Sequence, residues 1–301
     1  MRIEPLVPGE PRRPHGPRDP GDAWVVAPTG ERYWGRFGAA GLLALDGDRG
    51  VLLQHRVSWS HFGGTWALPG GARHEGESAI RGALRESEEE AGVPDVAVRP
   101  RFVSVFDLEY WSYATVVADV IVPFEPVISD PESYELSWVA IDDVASYPLH
   151  PGFELSWAKL RPLLAMRPTV VVDVANVMGA VPDGWWRDRA GAAQRLIARI
   201  GTRTRAGVPG ESLGLPERKW FPSWVAVVEG QAGGTAGTAD VAVVAAAASG
   251  DDQIVAEVAR RATMGEAVTV VTSDRELAGR VIALGASVHG ARWLLDQLEV
   301  G

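Results

Sequence analysis

The sequence contains no cysteine, which excludes disulfides, thiol nucleophiles and cysteine zinc sites together. Histidine is scarce, with six in 301 residues and no His-x3-His pair, so a zinc site is not expected. Long apolar runs are missing too. The longest, Val241 to Ala248, falls short of the roughly 18–20 residues that a membrane span needs and reads as a buried strand or helix segment. No membrane partner is expected, and the chain reads as cytoplasmic. A secretory pattern is absent from the N-terminus, where Pro5, Pro8, Pro11, Pro14, Pro17 and Pro20 recur every third residue with arginines between them. That spacing predicts an extended, polyproline-II-like tail over residues 1–30, a spacer or weak docking segment if it has a role at all. Excess positive charge is the last absence. A formal net charge of -10 argues against a surface that coats nucleic acid generally and leaves room only for a local basic groove.

What is present is enough apolar material, 46% of residues, for two cores. The acidity is uneven: residues 1–164 hold 15 Lys/Arg against 24 Asp/Glu, and residues 165–301 hold 14 against 15. Prolines at 151, 162 and 168 precede an abrupt restart of the apolar pattern, predicting one domain over 31–165 and another over 166–301. In the first, Gly41–Leu45 and Val51–His55 are apolar runs joined by Asp46-Gly-Asp-Arg-Gly50, a hairpin signal. Val96–Val98, Phe102–Leu108, Tyr113–Val122 and Leu136–Ala140 read as further strands, the last leading into a helix near Asp142. This predicts a mixed sheet packed against helices. In the second domain, strands at Thr169–Asp173, Trp224–Val228 and Ala267–Thr272 alternate with helices at about 186–200, 252–263 and after Asp274, with a closing segment to Leu298. Such alternation predicts a mainly parallel sheet covered on both faces.

Between Gly71 and Val93 the chain reads GARHEGESAIRGALRESEEEAGV. A helix from about Glu77 to Gly92 brings Glu86, Glu89 and Glu90, at i, i+3 and i+4, onto one face. Three carboxylates gathered this way suit a hard cation, Mg²⁺ or Mn²⁺, that bridges to substrate phosphates. The same spacing also suits a solvated helix face. The frame favours the cage: Leu68-Pro-Gly-Gly71 is a turn whose glycines can leave main-chain carbonyls pointing inward.

This stretch resembles the Nudix hydrolases, whose pattern G-x5-E-x7-R-E-U-x-E-E-x-G-U falls on Gly71, Glu77, Arg85, Glu86, Ser87, Glu89, Glu90, Gly92 and Val93. Ser87 departs from it, standing where a bulky apolar residue is usual. The resemblance implies an αβα sandwich and hydrolysis of a nucleoside diphosphate linked to another group by water attacking phosphorus. It further implies metal held by Glu86, Glu89, Glu90 and the Gly71 carbonyl, with Arg85 orienting the carboxylates, paired with Glu77. The base would come from the box itself or from Glu132 or Glu135, in the loop before Trp138. Trp66 and Tyr110 are candidates to stack a nucleobase, although aromatics in strands are more often core. Tyr110 lies 17 residues after Val93, where diadenosine-polyphosphate-cleaving relatives carry tyrosine; Leu108 stands where ADP-ribose-cleaving relatives carry proline. Modified nucleoside triphosphates fit equally well.

In an open parallel sheet, chemistry collects at the carboxyl ends of the strands. Asp173 ends one strand, Asp274 follows another, and Asp251-Asp252 open a helix, so these acids would converge and hold Mg²⁺ or Mn²⁺ for attack on a phosphodiester. Each could instead cap its helix. The stretches VVVDVANVMGAVPDGWWRDRAGAA, SGDDQIV and VTSDRELA resemble the NYN nucleases of the PIN-like group. That resemblance implies Asp173, Asp252 and Asp274 as metal-binding acids, supported by Asn176 and Asp251, with Asp251 and Asp252 interchangeable in the alignment. Arg195, Arg199 and Arg203 at helical spacing, and Arg187, Arg189, Arg218 and Lys219 near Trp185, Trp186 and Trp220, would suit single-stranded RNA; the competing reading is an exposed arginine face over buried tryptophans. Against a two-enzyme fusion stands a nucleotide-sensing or RNA-binding regulatory protein in which one domain is non-catalytic. The oligomeric state is not legible.

Overall fold

The computed structural model describes residues 1–5, 21–182 and 184–299; Pro8, Pro11, Pro14, Pro17 and Pro20 lie outside them. The flanks of the expected tail are built into a sheet. β1 (Arg2–Pro5), β2 (Ala23–Val26) and β3 (Arg32–Trp34) form an antiparallel three-stranded sheet, with Pro5 opposite Ala23. The reason is period-two burial: Ala23, Val25 and Ala27 are buried while Trp24 and Val26 alternate with them.

The chain divides into two compact units, Met1–Leu164 and Ala165–Gly301. The main sheet of the first has the order β10-β5-β4-β9-β8. Its strands are β4 (Ala39–Asp46), β5 (Gly50–Arg56), the short β6 (Trp66–Ala67) and β7 (Gly70–Ala72), then, after α1 (Ala79–Ala91), β8 (Val98–Asp107), β9 (Ser112–Val120) and β10 (Ser133–Val139). The sheet is mixed: β4 runs parallel to β9 and antiparallel to β5 and β7. Leu42, Leu43, Leu52 and Leu53 are fully buried at its centre. Asp46 tightens the β4–β5 hairpin by accepting the Asp48 and Arg49 amides, and Gly50 closes it at φ 93, where a Cβ would collide with the Val139 carbonyl.

Two expectations change here. Val96–Val98 and Phe102–Leu108 are not two strands: Val96 and Ala97 lie in a 3₁₀ turn at Asp95–Ala97, and one strand, β8, runs from Val98 to Asp107 with a register shift between Pro100 and Phe102. Proline has no N–H for the ladder, and a bulge absorbs the defect without ending the strand. The helix expected near Asp142 is only a short 3₁₀ turn at Val144–Ser146. The real helix is α2 (Pro151–Leu160), which has Pro151 in its first turn and buries Phe153, Trp157 and Leu160. Proline reads as a breaker but is well suited to that position, where its missing N–H is not needed. The unit is a mixed-sheet αβα arrangement.

The second unit is a five-stranded parallel sheet. β11 (Pro168–Asp173) leads into α3 (Val174–Gly179), a short helix the apolar pattern does not announce, and α4 (Arg189–Ala206). A small ribbon of β12 (Val208–Pro209) and β13 (Lys219–Trp220) precedes β14 (Ser223–Val228) and β15 (Val241–Ala245). Then come α5 (Gly250–Thr263), β16 (Ala267–Val271), α6 (Arg275–Ile282), β17 (Ser287–His289) and α7 (Ala291–Glu299). The order is β15-β14-β11-β16-β17, every neighbour parallel. Valines of β11, β14 and β16 pack with Ile254 and Val258 of α5 and Leu277 and Val281 of α6 as the core. The apolar run from Val241 is an edge strand; Val241 is buried, but Ala242 and Ala245 are exposed. Edge strands lack one neighbour, so apolar composition alone does not bury them.

Candidate functional site

Helix α1 starts later than Glu77 because Ser78 caps it, accepting the Arg81 amide, and it stops at Gly92, whose φ of 64 lets its N–H reach the Glu88 carbonyl. Glu77 is thereby freed for the site. Its carboxylate accepts the His74 amide at 2.9 Å and two guanidinium bonds from Arg85, Nε at 3.0 Å and Nη2 at 2.9 Å. Arg85 spends its other donors on Glu86 (2.7 Å), Glu89 (3.4 Å) and the Ala72 carbonyl (2.9 Å). One planar cation thus ties the loop before the helix to two acids on its face. Burial pushes the Glu77 carboxyl up, but the Arg85 and His74 bonds outweigh it and leave it below its ordinary value. The Arg85 guanidinium, whose burial opposes its charge, is nonetheless held more firmly protonated by Glu77 and Glu86.

Glu86 and Glu90 are buried, at 1% and 3% exposure, and Glu89 reaches solvent with half its side chain exposed. Glu90 accepts the Gly70 amide at 2.8 Å. Gly70 must be glycine: a Cβ there would stand 2.5 Å from the Ala40 carbonyl and the Gly41 Cα across the β7–β4 pairing. Gly71 pairs with Ala40 in the same register, in the strand against which α1 packs. Ser87, the departure from the motif, is fully buried and donates to the Leu84 carbonyl of its own helix. Its hydroxyl is satisfied within its own helix.

The box motif does not reveal Tyr113. Its phenol is pushed well above the ordinary tyrosine range, first by burial and then by the negative charge of Glu90, so it lies within the field of that carboxylate. Gly41 leaves room for it, because a Cβ there would strike the Tyr113 hydroxyl. Only the pairing of β4 with β9 brings the two together, and no local signal encodes it.

Of the residues proposed to meet a base, Trp66 is 7% exposed, stacked on His55 at 4.8 Å with Tyr147 edge-on at 5.0 Å, which leaves little ring surface for a ligand. Tyr110 is half-buried and meets Tyr33 edge-to-face at 6.3 Å. Glu135 is in strand β10, opposite His55, rather than in a loop, and its side chain is exposed. Glu132 precedes that strand, its amide held by Asp130 and its carbonyl accepting the Val57 amide.

Among the described residues, no group of three or more His, Cys, Asp or Glu side chains is gathered tightly enough to hold a metal ion. The donor chemistry of α1 still fits a hard cation: three carboxylates on one helix face beside a glycine-lined strand. Arg85 presently occupies two of them.

In the second unit the chain crosses from one side of β11 to the other between β15 and β16, so the switch point lies at the carboxyl ends of β11 and β16. There Asp173 accepts the Asn176 amide at 3.0 Å and the Thr272 hydroxyl at 2.9 Å, and Asn176 accepts the Ser273 amide at 2.8 Å. Asp173 and Asp274 both cap helices, accepting the Asn176 and Leu277 amides. Asp251 and Asp252 do not cap; Ser249 does. Asp252 turns to Arg280, 2.6 Å away. The Asp173 carboxyl is pushed up, chiefly by burial and then by Asp251 and Glu229, and Asp251 is pushed up by burial and then Asp274. Asp173, Asp251 and Asp274 therefore share one field, together with Glu229, which the sequence reading passed over. Glu229 directly follows β14 and accepts the Gly250 amide at 2.8 Å. It follows an apolar strand just as Asp173 does, so the same strand-end rule would have found it.

The basic face is less continuous than helical spacing predicts. Arg195 faces Asp188 at 3.8 Å, Arg203 bonds Gln297, and Trp220 is fully buried. Trp186 remains 55% exposed, and the Arg189 guanidinium lies 5.3 Å over the Trp185 ring. No helix among the described residues is long and apolar enough to cross a membrane.

Comparison with known proteins agrees with the α1 geometry. The NUDIX domain family model matches residues 35–158. The chain is 48% identical over 166 residues to the Mycobacterium tuberculosis protein named "Putative 8-oxo-dGTP diphosphatase 3", covering 52% of this chain and 76% of that one. It is 41% identical over 150 residues to a "Nucleoside triphosphate pyrophosphatase/Nudix hydrolase fusion protein" of Bifidobacterium longum, covering 46% of this chain and 31% of that one. Among solved structures it is similar to a Nudix hydrolase from M. smegmatis, RenU, with 46% identity, a TM-score of 0.45, and coverage of 48% of this chain and 96% of that one.

Proposed function

The chain belongs to the Nudix family through its N-terminal unit, and from that premise we propose that this unit hydrolyses the phosphoric anhydride of a modified nucleoside triphosphate. The observation that carries the reading is the Arg85 fork, which gathers Glu77, Glu86 and Glu89 around one cation. The relative named for 8-oxo-dGTP favours this substrate class over dinucleotides. Glu86, Glu89, Glu90 and the Gly71 carbonyl would hold Mg²⁺ or Mn²⁺, which when bound neutralises the pyrophosphate charge and makes water a better nucleophile. Arg85 holds Glu77, Glu86 and Glu89 in place through its hydrogen bonds. Glu89, the most exposed of the three, is best placed to take the proton of the attacking water. The nucleotide pool such an enzyme serves is cytoplasmic.

The test is a panel of nucleotides (8-oxo-dGTP, ordinary triphosphates, dinucleoside polyphosphates and ADP-ribose) with Mg²⁺ and the full-length protein. 8-oxo-dGTP is expected to turn over best, and Glu89→Gln to lower kcat by about 10²–10⁴-fold. No turnover of any member would leave a nucleotide sensor in its place.

For the second unit we propose a PIN-like, NYN-type nuclease acting on single-stranded RNA. Its support is the convergence of Asp173, Asp251 and Asp274 at a switch point, where Mn²⁺ or Mg²⁺ would be held. Asp252 is committed to Arg280, which favours Asp251 as the inward acid. That ion pair also favours the competing reading, an RNA-binding unit without cleavage. Manganese-dependent cleavage of single-stranded RNA that is lost in Asp173→Asn separates the two.

A further inference from the structure

Beside the acids of the second unit lies a cavity of about 160 Å³ at the carboxyl ends of β11 and β14. β11 and β14 pair Asp173 with Val227, so the residues that line the cavity, Val174 on one strand's exit and Val228 and Glu229 on the other's, follow directly from that register. Its floor is apolar, formed by Val174, Met178 and Val228. Trp185 and Arg189 also line it. Among the described residues, the only carboxylate lining it is Glu229. A dry apolar cavity of about 150 Å³ accepts a benzene ring, so this one has the size for one six-membered ring, the part of a base that carries its Watson–Crick edge.

We propose that the cavity is a nucleobase pocket, taking the guanine of a single-stranded RNA adjacent to the phosphodiester presented to Asp173 and Asp274. This rests on the reading of the second unit as RNA-acting and adds its base preference. An ionised carboxylate only accepts hydrogen bonds. Guanine alone among the four bases offers two adjacent donors on its Watson–Crick edge, N1–H and N2–H, which match a carboxylate as a guanidinium does. Adenine and cytosine place a ring acceptor beside their amino group, and uracil flanks its one N–H with carbonyls, so each would set a lone pair against Glu229. The Gly250 amide holds one Glu229 oxygen at 2.8 Å, fixing the carboxylate while leaving acceptor capacity for the base. Arg189 adds a cation for the neighbouring phosphate, and Trp185 an aromatic wall.

The test uses full-length protein and fluorescein-labelled octamers in EDTA, where binding is read without cleavage. An oligouridine with one central guanosine is expected to bind roughly tenfold tighter than oligouridine alone or with adenosine or cytidine in that place. Glu229→Gln, at an exposed position, and Ala175→Leu, which fills the cavity from α3, should each bring the guanosine octamer to the affinity that the same variant shows for oligouridine. Equal affinity for all four octamers, or a preference that survives in Glu229→Gln, would overturn the pocket. Adding Mn²⁺ separates this from the nuclease reading. Guanine preference without cleavage removes the nuclease and keeps the pocket; cleavage without base preference does the reverse.

Discussion

Arg85 makes five hydrogen bonds to four partners, and no amine can copy that geometry. Lysine would keep the charge as a point on a flexible stem and reach one or two of the partners at most. Arg85→Lys is therefore expected to lower stability by about 1–3 kcal/mol, read from the urea midpoint, and to cut kcat because Glu86 and Glu89 lose their shared clamp. A second residue carries a pH dependence. His150 caps α2 by accepting the Gly152 amide on Nδ1 at 3.1 Å, and burial, then Arg56 and His61, push its pKa down to about 4. The folded form resists a proton that the unfolded chain takes up near 6.5. Its contribution is therefore complete above pH 6.5 and is lost as pH falls toward 4. His150→Asn, a good cap that does not titrate, should flatten the loss of stability between pH 7 and pH 5; an unchanged slope in urea titrations would refute the assignment. Glu77 has the same sign lower down: its pairing with Arg85 acts in full above 4.5 and fades in more acidic solution. At this scale the motif made the box acids and their arginine legible. Tyr113 was not, because what makes it matter is a pairing between strands about 70 residues apart in sequence.

At the scale of elements, the close approach of β7 to β4 is the most demanding contact near the first site. Gly70→Ala would press a Cβ against the Ala40 carbonyl, costing about 1–3 kcal/mol and moving the amide that Glu90 accepts. Loss of hydrolysis together with a lowered Tm is expected, whereas full activity would show that strand β7 can yield. In the second unit, Asp173 ends a fully buried strand with like charges nearby. Asp173→Asn should raise Tm at pH 7 while removing any cleavage, since sites that collect charge do so against stability. Elements with strong periodicity, β4, β5, β14 and α5, were legible. Those missed were short or governed by rules that override composition: α3 has six residues, α2 begins on a proline, and β8 carries one through a bulge.

At the scale of the whole molecule, the two proposed activities draw on separate sets of acids. Glu89→Gln should abolish nucleotide hydrolysis and leave RNA cleavage intact, and Asp274→Asn the opposite; parallel assays on the full-length protein would show a shared site if either variant lost both. The parallel sheet could be anticipated from alternation, but its strand order could not, because order depends on which strands pair across long connections. Counter-ions distinguish the two sets of acids more sharply than ligand identity does. In the first, Arg85 already pairs with Glu77, Glu86 and Glu89, so a divalent ion entering there must share or displace a cation the fold supplies itself. In the second, the only ion pair made by these acids among the described residues is that of Asp252 with Arg280; Arg280 also eases the charge on Asp251, which still opposes the charges of Asp173 and Asp274. On the proposed reading, in which both sets of acids take up divalent ions, folding and loading would be nearly uncoupled in the first unit and tightly coupled in the second: chelation would silence the one without loosening it, and cation titration would act on the other as a structural adhesive.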